Sequence, residues 1–194
     1  GSGGPLHVSN PEYVSPLTHV WLRAAQEAGI PPTADFNAGN QAGCGLYQIT
    51  VRNGRRASTA TCYLTREVRR RPNLGIVTDR RVIRVLIENH RAVGVAYLEG
   101  REEVIVRAER EVIVTAGAIN SPRLLMLSGI GPADHLREAG VQVMHDLPGV
   151  GQNLQDHMDV YMVYELAGPH GYDRYKKWQW RSWAGLQYAL FRQG

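Results

Sequence analysis
The chain has 194 residues, 43% of them hydrophobic, with a formal net charge of +4 and a pI of about 9.3. That length accommodates one large domain or two small ones. The basic residues are scattered apart from small clusters at Arg69-Arg70-Arg71 and Lys176-Lys177, so no long basic face points to nucleic acid. No run approaches the roughly eighteen apolar residues of a transmembrane helix. Cys44 and Cys62 form neither a C-x-x-C nor a zinc pattern and read as free thiols.

Taken in order, residues 1–14 form a Gly/Pro/Asn-rich entry. Ser15-Pro16 then supplies an N-cap and a first-turn proline for a helix over 15–28. Leu17, Val20, Trp21, Ala24, Ala25 and Ala28 recur at helical spacing, with Trp21 expected as the main core anchor and Gly29 as the stop. Leu46 to Val51 alternates as a strand and Asn53-Gly54 is a turn dipeptide. Ser58 to about Arg69 reads as one helix with Ala60, Tyr63 and Leu64 inward. A β section begins at Asn73 to Thr78 and continues through Val82 to Ile87, a hairpin turn at Glu88-Asn89-His90-Arg91, Ala92 to Leu98, a turn at Gly100, and Val104 to Ala108.

Val112 to Val114 is an apolar run expected as a buried strand. It leads into small residues at Ala116, Gly117 and Ala118, where a flat or phosphorylated cofactor can approach the backbone. Ser121 is read as an N-cap and Pro122 as the first helical residue, with Gly129 closing the helix. Pro132 to Gly140 brackets a short helix with Leu136 inward, followed by a short strand at Val141 to Val143. Val160 to Leu166 is strand-like, and an aromatic-rich helix runs from about Lys176, bearing Trp178, Trp180, Trp183 and Tyr188. That aromatic stripe reads as core or domain wall, with an exposed patch as the alternative.

The residue order carries more than the element order. Gly117-Ala118-x-x-Ser121-Pro122-x-Leu124-Leu125-x-x-Ser128-Gly129-Ile130-Gly131 resembles the second signature of the glucose–methanol–choline oxidoreductases. Pro148-Gly149-Val150-Gly151-x-Asn153-Leu154-x-Asp156-His157 is a second match at the family's distance. Asp35-x-Asn37, Gly43-x-Gly45, Gln48-x-Thr50 and Gly54-x-Arg56-x-Ser58 resemble the start of its substrate domain. The tone is that of the choline-dehydrogenase-like and alcohol-dehydrogenase-like branch.

The resemblance implies an α/β (α+β) chain. Residues 70–157 are then part of an FAD-binding Rossmann-like domain, and 1–69 and 158–194 are parts of a substrate domain, both incomplete. It implies FAD as cofactor, with Val82, Ala116, Gly117, Ala118 and Asn153 as contacts, Val82 meeting the adenine through its backbone. It implies hydride removal from an alcohol, choline-like or another primary alcohol, with oxygen, a quinone or a dye left open as electron acceptor. The family's catalytic histidine lies far toward the C-terminus, so no catalytic residue is expected here. His157 is assigned a structural role, and no metal site is expected. The family's N-terminal G-x-G-x-x-G is also absent, the sequence does not begin with Met, and it stops partway through a segment. It is therefore expected to be an internal piece of a longer, cytoplasmic enzyme, with membrane association of the parent left open, and to be inactive and exposed at its sheet edges by itself. The rival readings are a non-catalytic binding or structural module, and an FAD-containing lyase of the same fold.

Overall fold
The computed structural model describes residues 3–168 and 171–192, with the side chains of Asp173 and Arg174 outside the description. Helices and strands are mixed, and the chain divides into two units: Gly1–Gly75 with Met162–Gly194, and Ile76–Tyr161.

In the first unit, α1 (Pro16–Glu27) starts at the expected Ser15-Pro16 step, although the Ser15 side chain makes no capping hydrogen bond. Its buried residue is Ala25, while Trp21 is 54% exposed, so Trp21 is not the core anchor expected of it. The reason lies in what α1 rests on. The 30–45 loop meets the helix through Cys44, whose Sγ lies 3.7 Å from Ile30 O and 3.9 Å from Leu22 O, and the Trp21 side faces outward.

The expected strand at 46–51 shrinks to β1 (Val51–Arg52), which pairs with β2 (Arg55–Arg56) across Asn53-Gly54. Both turn residues have positive φ, 51° and 65°, the requirement of a two-residue hairpin turn. The expected helix at 58–69 is two: α2 (Thr59–Tyr63) and α3 (Arg66–Arg69). Thr65 explains the break, because its extended backbone and side chain cap a new helix, accepting from Val68 N–H at 3.4 Å. Tyr63 and Ala60 face solvent and Leu64 is half-buried, which corrects the inward reading of the first two. A single 3-10 turn (Tyr172–Lys176) precedes α6 (Trp178–Phe191), whose Tyr188 hydroxyl donates to Gly54 O at 3.0 Å. Trp178, Trp180 and Trp183 are exposed, so the aromatic stripe is not core within this unit.

The second unit is built on a three-stranded antiparallel meander, β3 (Arg81–Glu88), β4 (Arg91–Glu99) and β5 (Glu102–Arg107), in the order β3-β4-β5. The β3–β4 turn is Asn89-His90, again with both φ positive. Val85 and Ala96 form its buried centre. Arg84 spans to Glu103 through a two-pronged pair, and that hydrogen bonding raises the Arg84 pKa. Arg80–Glu99 and Arg107–Glu88 are further pairs, all solvent-accessible and each worth little.

α4 (Gly117–Leu127) crosses beside β3; α5 (Ala133–Glu138) buries Leu136; β6 (Ile130–Gly131) and β7 (His145–Asp146) pair in parallel. Four expected strands are absent from the ladders: 73–78, 112–114, 141–143 and 160–166. Strand-like sequence becomes a strand only by pairing, and no described segment pairs with these; Ile113 is accordingly 74% exposed. Among the described residues no helix is long and apolar enough to cross a membrane.

Candidate functional site
The second unit carries a cleft of about 400 Å³ between the beginning of β3 and the turn leading into α4. Arg80 to Ile83 form one wall; Ala116, Asn120, Arg123, Leu124 and Leu127 form the other. Val82 and Ala116, 34 positions apart in the sequence (116 − 82), thus share one cleft.

Each wall has a local cause. Among the described residues β3 is an edge strand, so its outer backbone groups face no other strand, and a bulge at Ile83 shifts its register against β4 next to Val82. On the other wall, Gly117 has φ +90°, and a Cβ there would meet nothing within 4 Å. The turn is therefore both glycine-dependent and open. The helix begins here, earlier than Ser121-Pro122 had indicated. Ser121 is not its N-cap: the Ser121 Oγ turns back and accepts from Ala116 N–H at 3.0 Å, fixing the turn from inside the helix. Pro122 stands inside α4, where its missing N–H removes the hydrogen bond that Ala118 O would otherwise receive.

Gly117 and Ala118 follow Ala116 directly in the chain but are not among the residues that line the cleft. Asn153 does not line it. It is exposed, has φ +56°, and follows the 147–152 loop, in which Val150 N–H donates to Leu147 O at 3.1 Å. The two motif stretches nevertheless meet through Met126 of α4. A Cβ on Gly151 would lie 3.5 Å from Met126 Cε, and one on Gly131 would lie 2.9 Å from its Cγ. Sequence reasoning missed Arg80, Arg81, Asn120 and Arg123 as cleft residues, because their roles arise only where the start of β3 and α4 lie side by side, which leaves no spacing signature. It also missed Ser128, which is buried and joins β3 to α4.

Among the described residues, Asp156 is the one titratable side chain close to His157. Its side chain is fully exposed, and its Nδ1 lies 3.9 Å from Asp156 Oδ1, beyond hydrogen-bond reach; Asp156 instead accepts from the His157 backbone N–H at 2.8 Å. Among the described residues no group of His, Cys, Asp and Glu is placed to hold a metal.

The cleft's features suit a flat, anionic cofactor end: an open glycine turn, an unpaired strand edge for backbone hydrogen bonds, and the guanidinium-bearing Arg81 and Arg123 at its walls. FAD, with its adenine ring and pyrophosphate, fits that donor set.

Comparison with known proteins agrees in kind. The family profile described as GMC oxidoreductase matches residues 2–159. An oxygen-dependent choline dehydrogenase from Sinorhizobium medicae (strain WSM419) is 46% identical over 194 residues, which is 100% of this chain and 35% of that protein. The chain therefore spans about a third of the length of the curated relatives it matches. Among solved structures, an FAD-dependent oxidoreductase from Chaetomium thermophilum is 31% identical with a TM-score of 0.84, covering 100% of this chain and 34% of that one. Pyridoxine 4-oxidase from Mesorbium loti is 40% identical with a TM-score of 0.76, covering 81% and 31% respectively.

Proposed function
This chain belongs to the GMC oxidoreductase family, and from that premise we propose that it forms the cleft for the adenine end of FAD in a parent enzyme that oxidises the CH–OH group of an alcohol. The observation that carries the reading is the meeting of Val82 and Ala116 in one cleft, with the open Gly117 turn next in the chain. In this reading the free edge of β3 near Val82 offers backbone hydrogen bonds to the adenine. The Ala116-Gly117-Ala118 turn lets the cofactor approach the main chain, and Arg81 and Arg123 favour its anionic portion. Asn153, on its own loop, serves as a contact farther along the cofactor. FAD when bound supplies the hydride acceptor; the chain's own residues bind and orient it. Choline or a related primary alcohol is the proposed substrate class, after the choline dehydrogenases that this chain resembles.

The division of labour follows the resemblance: 70–157 belongs to the FAD domain, and 1–69 and 158–194 to the substrate domain. The 194-residue chain by itself is expected to give no alcohol-dependent dye reduction, since the proton-accepting histidine is assigned outside it.

Two substitutions in the parent protein test the cleft. Gly117→Val forces a β-branched residue into positive φ and puts side-chain bulk into the open space of the turn, while Ala116→Trp fills the cleft and leaves the glycine in place. Both are expected to lower visible flavin absorbance per protein and weaken FAD binding, with far-ultraviolet circular dichroism retained. Full flavin content in both variants overturns the reading.

A further inference from the structure
The two walls of the cleft come from separate elements, and one buried hydroxyl joins them. Ser128 is the buried polar residue among the described residues, 7% exposed. Its Oγ accepts from Val85 N–H at 2.8 Å and donates to Leu124 O at 2.6 Å. Val85 lies three residues beyond Val82 on β3, and Leu124 lines the cleft from α4. The hydroxyl therefore bridges the edge of one wall to the backbone of the other.

From this geometry we propose that Ser128 is a positioning residue for the cofactor: its hydroxyl sets the spacing between the Val82 edge and the Ala116 turn. The proposal rests on the cofactor reading above. Three observations support it. Among the described residues no strand lies on the outer side of β3, and Ser128 is what satisfies the Val85 amide there. Serine at this position uses both hydrogen-bonding capacities of its hydroxyl, one donor and one acceptor, so alanine loses both ties at once. The chain after it cannot move to compensate. Gly129 has φ +82°, and a Cβ there would stand 2.5 Å from Gln142 O and 2.6 Å from Met144 Cγ, which places residues 142–144 hard against it. Ser128 N–H also donates to Leu125 O at 2.9 Å and Leu124 O at 3.1 Å, fixing its backbone to the last turn of α4. The hydroxyl is thus held from both directions, and a loss of its two bonds is relieved by movement of β3 against α4, across the cleft.

The test uses the full-length parent protein, stripped of flavin and titrated with FAD, with hydrogen exchange at the Val85 amide read in parallel. Ser128→Ala is expected to speed exchange at Val85 and to weaken FAD binding about tenfold, the size of one lost hydrogen bond to a buried amide. Ser128→Thr keeps the hydroxyl and is expected to restore both protection and affinity. A merely structural role lowers the thermal stability of the apoprotein and leaves FAD affinity of the folded protein unchanged; that result overturns the proposal. If Ser128→Ala does not fold, Ser128→Thr decides: wild-type affinity with a protected Val85 amide supports the latch, and weakened FAD binding with Val85 still protected overturns it. Gly117→Val and Ala116→Trp separate the two failures. If they weaken FAD binding and Ser128→Ala does not, the latch alone is wrong. If none of the three affects FAD, the cofactor reading falls and the latch with it.

Discussion

In the Ile76–Tyr161 unit, turns, burial and hydrogen bonds close on one another; in the unit made of Gly1–Gly75 and Met162–Gly194, well-formed helices carry apolar faces that no described element covers. The meander turns where Asn89-His90 permits, buries Val85 and Ala96, and hands the Val85 amide to Ser128. α1 and α6 are equally regular, yet Trp21, Trp178 and Trp183 point to solvent. The difference teaches that helical periodicity specifies a face and says nothing of what the face meets. A sheet edge or a cap names its partner more directly, because an amide must find an acceptor.

The largest test of this contrast sets Leu136 against Trp21. Leu136 is 1% exposed between α5 and β6, so Leu136→Ala is expected to destabilise the 194-residue chain by about 2–5 kcal/mol. Trp21 is the larger residue, but about half of its surface stays in water, so Trp21→Ala is expected to cost less than Leu136→Ala. Urea denaturation measures both, and a Trp21→Ala loss equal to that of Leu136→Ala breaks the comparison.

A second contrast lies inside the ordered unit. Gly129 and Gly140 both end helices with positive φ, 82° and 70°. A Cβ at Gly140 meets nothing within 4 Å, whereas one at Gly129 strikes the 142–144 backbone and Met144. Gly140→Ala is expected to cost about 1 kcal/mol for backbone strain alone, and Gly129→Ala clearly more, about 2 kcal/mol or above. Equal midpoints in thermal unfolding remove the packing argument. His90 offers a gain. It sits at φ 60° in a hairpin turn where Asn-Gly is favoured, so His90→Gly should stabilise the meander by about 0.5 kcal/mol. A lower melting temperature for that variant contradicts the turn assignment.

Much of this was legible from the residues. Ser15-Pro16, Asn53-Gly54, Gly129 and Gly140 marked boundaries because proline and glycine act through backbone geometry that needs no tertiary partner. Ser121 and Pro122 misled for a related reason. The same residue types that begin a helix also fit inside its first turns, once Gly117 at φ +90° lets the chain enter earlier. Val112 to Val114 looked like a strand, and apolar β-branched composition is only half of what a strand needs. At the cleft, the run of small residues marks Ala116 and Gly117, while Arg81, Asn120 and Arg123 come into view only when β3 and α4 are set side by side. Ser128 stood inside the recognised motif throughout, but its task is defined by Val85, 43 residues away.

The smallest expected effect belongs to the less closed unit and concerns the cap that broke an expected helix. Glu67 stands in the first turn of α3, and its own backbone N–H, then the Thr65 side chain, hold its carboxyl below the ordinary value. Depression means the folded state prefers the carboxylate. The associated stability is therefore complete above the unfolded-state pKa and is lost as pH falls through the lower, folded one. Thr65→Ala removes the hydroxyl that both caps Val68 N–H and reaches Glu67, so Glu67 should titrate at higher pH, nearer its ordinary value, while Thr65→Ser should keep the depression. Carboxyl-carbon NMR titration reads this residue by residue. Because Glu67 is fully solvent-exposed, the movement should appear in its titration and barely in the unfolding midpoint. An unmoved Glu67 in Thr65→Ala would mean that its backbone N–H alone holds its carboxyl down.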